Sequence, residues 1–477
     1  VRKGSDRVVV GPGSIPDYRI ETIEGVRTGG VSHWQQQVGL PAASETLPGD
    51  RTADVCIVGG GLTGLWTAYY LSEADPTLDI VVLEAEFVGY GASGRNGGWL
   101  SAELPGNRAT YARGPGGMSA VDRLAAELAD SVDRVIDVCQ TQGIEADVVK
   151  SGVMYVATSA AQLARLQSTT PAPGSRVRIL DAEESSARIK VAGTRGAVLD
   201  PQCARVQPAK LVRGLAEVVR ARGVRIYERT EVQRVESGRA VCETGTVTAP
   251  FVLQCLEGYT SALRGNRRTW LPMNSAIVVT QPLSQDVWSE LGWAGNELLG
   301  DLANAYYYAQ HTADGRIALG GRGRPYRYGS ATDVDGVTQA WTIRSLRETL
   351  ERAFPQLNGI TLEHAWCGVL AVPRDWCASV SLDPRTGVGF AGGYVGSGLT
   401  ATNLAGRTLR DLVLGKQTDL TTLAWTNRPV RRWEPEPLRW LGVNGMYALY
   451  RAADRRELAG LDRPSRLGRF ADRLSGR

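Results

Sequence analysis

The chain has 477 residues, 43% hydrophobic and 22% charged, the balance of a folded globular protein long enough for two joined domains. A net charge of +4 is small for this length and makes no electrostatic case for a nucleic-acid partner. Seven cysteines without CxxC spacing and only three histidines argue against a disulfide framework or a bound metal. No apolar run is long enough to span a bilayer and the N-terminal stretch lacks the apolar core of a secretory signal, so a cytoplasmic protein is expected.

Residues 1–50 show little periodicity and read as an arm lying over the body, with Trp34 as its landmark. The stretch from Asp54 to Leu100 then organises the chain. Val55, Ile57 and Val58 form the apolar run of a buried parallel strand, and Gly59, Gly61 and Gly64 supply GxGxxG. These glycines allow the tight turn, the approach of a pyrophosphate and close packing of the following helix. That helix, starting at Leu62 and Thr63, presents N–H groups and a positive dipole end to phosphate. The second strand, Ile80–Leu83, ends at Glu84 and Ala85, where a carboxylate can accept ribose hydroxyls and would repel a 2′-phosphate. Strand, glycines, helix, strand and Glu in register predict a dinucleotide site without NADP.

Further along, the spacing predicts a helix over 120–142, a strand over 152–157, and helices over 160–166 and 182–190. Val198–Asp200 and the helix-to-strand run from Pro208 to Val235 return to nucleotide-domain character. Residues 262–365 are rich in strands: AIVVT at 276–280, YYYAQ at 306–310 and RIALG at 316–320, with a helix over 337–354. A strand at 389–391 leads into GGYVGSGLTATN, a second glycine turn opening a helix. The tail, 421–477, contains an amphipathic helix expected to pack on the body or on a partner subunit, with peripheral membrane contact as the alternative.

The glycine unit, the block Gly91-Ala92-Ser93-Gly94-Arg95-Asn96-Gly97-Gly98 and the last glycine turn together resemble the D-amino acid oxidase-like superfamily of FAD-dependent oxidoreductases. Within it, the block is most similar to that of γ-glutamylputrescine oxidase-like and glycine oxidase-like members. The resemblance implies an α/β fold: a Rossmann-like FAD-binding domain interleaved with an α+β substrate domain on an antiparallel sheet. The expected segments are an arm at 1–50, FAD-binding pieces at 51–100, 193–261 and 366–420, substrate pieces at 101–192 and 262–365, and a helical tail at 421–477. It also implies that residues 91–98 face the pyrophosphate and flavin edge, with Ser93, Arg95 and Asn96 offering hydrogen bonds. Val232 is expected to offer backbone to adenine, and Gly393, Gly396, Ser397, Gly398, Leu399 and Thr400 to line the flavin's pyrimidine side.

Two departures from the family pattern and one ambiguity bear on the reaction. An Arg that clamps a substrate carboxylate after a Trp-x-Gly motif falls at Leu370, after Trp366-Cys367-Gly368, so a simple α-amino acid is disfavoured. Arg374, Arg322 and Arg324 are the replacements considered. A Lys that assists oxygen reduction falls at Ala318, which leaves O2 or another electron acceptor open. Cys367 stands where some members attach FAD covalently; a non-covalent cofactor with a small buried thiol is the preferred alternative. The resulting expectation is an amine oxidase or dehydrogenase in which a neutral amine gives hydride to flavin N5 and the imine is hydrolysed. Tyr306 and Tyr308 are the candidate wall facing the flavin, with Trp99 and Gln310 as further substrate contacts. An alcohol dehydrogenase, an NAD(P)H-dependent flavin monooxygenase and a flavin-binding partner subunit are the alternatives.

Overall fold

A computed structural model describes residues 17–42, 44–169, 176–321 and 326–475. Among them the strands form sheets of ten, six, four and two members. In the six-stranded sheet, Val55–Val58 lies between Ile80–Leu83 and Phe251–Gln254, all parallel, with Arg225–Tyr227 outside Ile80–Leu83. Val388–Gly392 continues the parallel set, and Ser379–Asp383 closes it antiparallel. All four residues of Val55–Val58 and of Ile80–Leu83 are buried, as strands covered on both faces require.

The GxGxxG turn works by backbone contact. Gly59 has φ +113°, and a Cβ there would lie 2.6 Å from the Cys255 carbonyl oxygen. A Cβ on Gly64 would lie 2.1 Å from the Gly59 carbonyl oxygen. The helix Leu62–Ala74 is therefore drawn tightly onto the strand that feeds it. It is buried on nearly every side because Gly398–Val413 packs across it. At that crossing a Cβ on Gly406 would reach 2.7 Å from the Trp66 carbonyl carbon.

The ten-stranded sheet runs Ile20–Ile23, Val26–Gly29, Leu362–Val372, Leu271–Thr280, Ile317–Gly321, Tyr307–His311, Leu298–Asp301, Val153–Ala157, Gly196–Asp200, Arg178–Leu180. It is antiparallel except where Val26–Gly29 meets Leu362–Val372 and where Leu298–Asp301 meets Val153–Ala157. Helix Ala340–Ala353 and the buried Trp293 and Phe354 fill its core.

Several expectations change here. Residues Ile20–Gly29 of the arm are built into this sheet as an edge hairpin, and the buried Trp34 sits in the short helix His33–Gln37. Its first sixteen residues lie outside the described residues. Val198–Asp200 pairs with Val153–Ala157, not with the nucleotide unit, so the boundary expected at 193 falls beyond that strand. Likewise residues 366–372 belong to the ten-stranded sheet through Leu271–Thr280, and the chain returns to the six-stranded sheet only at Ser379. Both strands are apolar runs, and composition alone does not say which sheet such a run joins. The helix expected over 182–190 stops at Ser186, its start fixed by a capping box between Asp181 and Glu184.

Gly64→Ala is expected to destabilise the protein by about 1–3 kcal/mol through overpacking. A lowered urea midpoint with unchanged slope is the result that checks it.

Candidate active site

A single cavity of about 1010 Å³ runs from the glycine turn to the ten-stranded sheet, at the upper end of the ~300–1,000 Å³ range of small-molecule sites. At one end it is lined by Gly59, Gly61, Leu62, Thr63, Glu84, Ala85 and Val232. Glu84 Oε2 accepts the Gly60 N–H at 2.7 Å, and Oε1 accepts that of Glu86 at 3.0 Å. Burial raises the Glu84 carboxyl to about 7 against the pull of those two N–H groups. The first N–H of the helix is not free: Leu62 donates to Ser93 Oγ at 2.8 Å, which ties the glycine turn to the 91–98 block.

That block forms the middle of the wall through Gly91, Ala92, Ser93, Arg95, Asn96 and Gly97. Its polar side chains are largely engaged within the protein, with Arg95 Nη2 left without a hydrogen-bond partner among the described residues. Arg95 donates from Nη1 to Asp333 Oδ2 at 2.6 Å and to the Cys367 carbonyl at 3.1 Å, and from Nε to the Tyr90 carbonyl at 2.6 Å. Both charges of this pair are buried. Asn96 donates to the Ala92 and Ser93 carbonyls and accepts the Gly98 N–H, holding its own loop in shape. From behind, Trp34 Nε1 donates to the Asn96 carbonyl and Trp366 Nε1 to the Arg95 carbonyl, both at 2.9 Å. Gln310 donates to the Gly97 carbonyl at 2.5 Å and is thus a support of the loop; it does not line the cavity.

The last glycine turn contributes Gly396, Ser397, Gly398 and Leu399 at the N-terminus of Gly398–Val413. Gly393 and Thr400 stand behind the wall, as do Gly64 and Gly98. The Gly393 N–H is held by Glu257 Oε2 at 2.8 Å, while Glu257 Oε1 accepts from Ala371 and Tyr394. Burial raises Glu257 to about 7 as well. Cys367 is buried, its thiol 3.8 Å from Asn274 Oδ1 and off the cavity wall; burial pushes that thiol well above its usual range.

The far end is wide and aromatic: Trp99, Tyr155, Tyr306 and Tyr308. The Trp99 ring lies edge-on to Tyr155 at 5.9 Å and to Tyr308 at 6.0 Å. Tyr308 lies over Gly320, where a Cβ would come within 2.2 Å of its ring, and its hydroxyl meets Ser275 Oγ at 3.1 Å. The strand starts at Tyr307, so Tyr306 precedes it, yet both flanking tyrosines reach the cavity while Tyr307 is buried. Leu370 also lines the cavity, whereas Ala318 packs with Trp34 and Trp366. Arg374 is engaged elsewhere, its Nε 3.0 Å from both Glu434 oxygens; Arg322 and Arg324 lie outside the described residues.

Two acids at this end were not anticipated. Asp301 Oδ1 accepts the Tyr307 N–H at 3.1 Å, and burial raises its carboxyl to about 7, with Asp454 adding to the shift. No cationic side chain forms an ion pair with Asp301 among the described residues. Glu103, at the exposed mouth, accepts the Ser397 hydroxyl at 3.0 Å. Arg165 also lines this end, but its guanidinium is engaged by Glu457 and the Leu302 carbonyl. Asp301 closes the run LLGD, and nothing in that pattern separates a site acid from a strand-end turn residue.

A carboxylate at the end of the second parallel strand, a glycine turn with a helix N-terminus and an aromatic chamber in one cavity fit FAD. The FAD dependent oxidoreductase family matches residues 54–412, and the chain belongs to it; it is an FAD-dependent oxidoreductase. It is 31% identical over 408 residues to gamma-glutamylputrescine oxidoreductase of Escherichia coli K12, covering 80% of this chain and 89% of that protein. It is 23% identical to glycine oxidase of Bacillus licheniformis, covering 76% and 93%. Among solved structures, glycine oxidase from Geobacillus kaustophilus superposes with a TM-score of 0.66 at 20% identity, covering 80% of this chain and all of that one. Among the described residues no helix is long and apolar enough to cross a membrane.

Two outcomes are expected. Arg95→Met leaves Asp333 as an unpaired buried charge and is expected to cost about 3–5 kcal/mol, read as a lowered melting temperature. Glu257 binds its proton more tightly folded, at about 7, than at its usual 4.5. Its contribution to stability is therefore full below 4.5 and lost as pH rises through 7. Glu257→Gln removes this contribution, so between pH 4.5 and 7 the apoprotein's melting temperature should fall less steeply with pH in the variant.

Proposed function

We propose that this enzyme oxidises the C–N bond of an amine that is not a simple α-amino acid, its reacting carbon bearing no carboxylate, with FAD bound non-covalently. The observation that carries this reading is the far end of the cavity. Asp301 and Glu103 meet Trp99, Tyr155, Tyr306 and Tyr308 there, Leu370 stands in place of a clamping guanidinium, and Arg165 is paired away. An acid among aromatic faces attracts a cationic nitrogen and offers nothing to a carboxylate. The relative named a gamma-glutamylputrescine oxidoreductase supports an amine, since its name is that of an amine-oxidising enzyme.

Glu84 would receive the ribose hydroxyls, the backbone of the glycine turn and of 91–97 the pyrophosphate, and the N-terminus of Gly398–Val413 the polar edge of the flavin ring. Bound FAD supplies the acceptor for a hydride from the carbon next to nitrogen. The chain's part is to deliver that amine neutral. Asp301, raised to about 7, is matched to take a proton from a docked ammonium. The aromatic walls exclude water, which strengthens the carboxylate's hold on the cation. The imine product is hydrolysed to a carbonyl compound. O2 or another electron acceptor would take up the two electrons removed from the amine.

Under anaerobic conditions amines should bleach the flavin absorbance, and in turnover with an added electron acceptor kcat/KM should rise as pH passes about 7 and Asp301 ionises. Asp301→Asn should raise KM about tenfold or more, abolish that pH limb and leave flavin content unchanged. Bleaching by α-amino acids alone would overturn the reading.

A further inference from the structure

The C-terminal helix Leu438–Leu458 lies beyond the matched family segment, yet it is joined to the cavity wall. Asp454 Oδ1 accepts the Asn304 backbone N–H at 2.9 Å and the Asn304 side-chain amide at 2.7 Å, and Oδ2 accepts the Ala305 N–H at 2.9 Å. One helical turn on, Glu457 pairs with Arg165, whose other arm donates to the Leu302 carbonyl. Glu457 is itself fixed by the Ser465 N–H at 2.8 Å, in the turn before Arg466–Ser475. Between these anchors, residues 301–306 carry Asp301, Leu302, Ala303 and Tyr306, all of which line the cavity.

We propose that Asp454 is a positioning residue for the substrate: the C-terminal helix fixes the 301–306 wall and thereby sets which amines fit. The inference rests on the reading of that end as the amine site. The loop leaves the sheet at Asp301 and rejoins it at Tyr307, and its N–H groups at 304 and 305 are satisfied by the Asp454 carboxylate. A carboxylate accepting two backbone N–H groups makes charge-assisted bonds, stronger than neutral ones. Without it the wall carrying Asp301 and Tyr306 would sample several positions. The cofactor-binding residues are on other segments and would be left in place.

The test uses the flavin-loaded full chain and Asp454→Ala, with Asp454→Asn as the conservative variant, since its amide oxygen still accepts one of the N–H bonds. Asp454→Ala should exchange the amide hydrogens of 304 and 305 at least about tenfold faster. KM for the best amine should rise about tenfold while kcat stays within about twofold and flavin content is unchanged. Bulkier amines should lose less than small ones, and Asp454→Asn should recover part of the loss. Faster exchange with KM unchanged across the panel would overturn the proposal, as would wild-type exchange rates in Asp454→Ala. A wild-type flavin that no amine bleaches would instead remove the amine reading, while the exchange rates would still judge the clamp itself.

Discussion

The buried pair of Arg95 and Asp333 is the constraint on which the cavity depends. A guanidinium and a carboxylate removed from water are tolerated only when each is paired and further hydrogen-bonded. Here the guanidinium also reaches the carbonyls of Tyr90 and Cys367, and Asp333 accepts the Gly336 N–H at 2.7 Å. One ion pair thus joins the 91–98 block to the strand Leu362–Val372 and to the segment after the sheet. The two indole N–H groups of Trp34 and Trp366 and the amide of Gln310 complete a frame behind the block. The glycine-turn end and the aromatic end of the cavity are held in one geometry because helix Leu62–Ala74, through Leu62, and the ten-stranded sheet, through Trp366 and Gln310, both hold this block.

Much of the nucleotide half was legible in the sequence. Gly59, Gly61, Gly64 and Glu84 impose steric and charge requirements that few other residue patterns meet, and they fall where a strand, turn, helix and strand place them. The block at 91–98 was legible as part of the site but not in its detail. Arg95 and Asn96 read as ligand donors because polar side chains in a glycine loop are normally exposed. Their partners, Asp333 and the loop's own carbonyls, lie 238 residues away or within the turn itself. A buried ion pair of that separation leaves no periodic trace.

Sheet membership failed for a related reason. Val198–Asp200 and Trp366–Val372 are apolar strands like any other, and the partner strand, not the strand's own residues, decides which sheet they complete. The tyrosine wall was found by alternation, whereas Asp301 and Glu103 were not. An acid at a strand end or in a loop is usually solvated, and only the converging chain shows that Asp301 faces a chamber of aromatic rings. The tail was legible as a helix that packs on the body but not in its faces, since Arg439 and Glu457 are buried while Leu438, Leu441 and Leu458 are exposed, and its grip on the loop at 304–305 depends on the tertiary fold.

The central claim is that one cavity holds FAD with its adenosine at Glu84 and its reactive face toward an amine beside Asp301. A crystal structure of the flavin-loaded protein, soaked anaerobically with a slow amine substrate, measures this directly. The account predicts ribose oxygens at Glu84 and the amine nitrogen near Asp301, among Trp99, Tyr306 and Tyr308. A flavin ring oriented away from that chamber, or an amine bound without contact to the 301–308 wall, would contradict it.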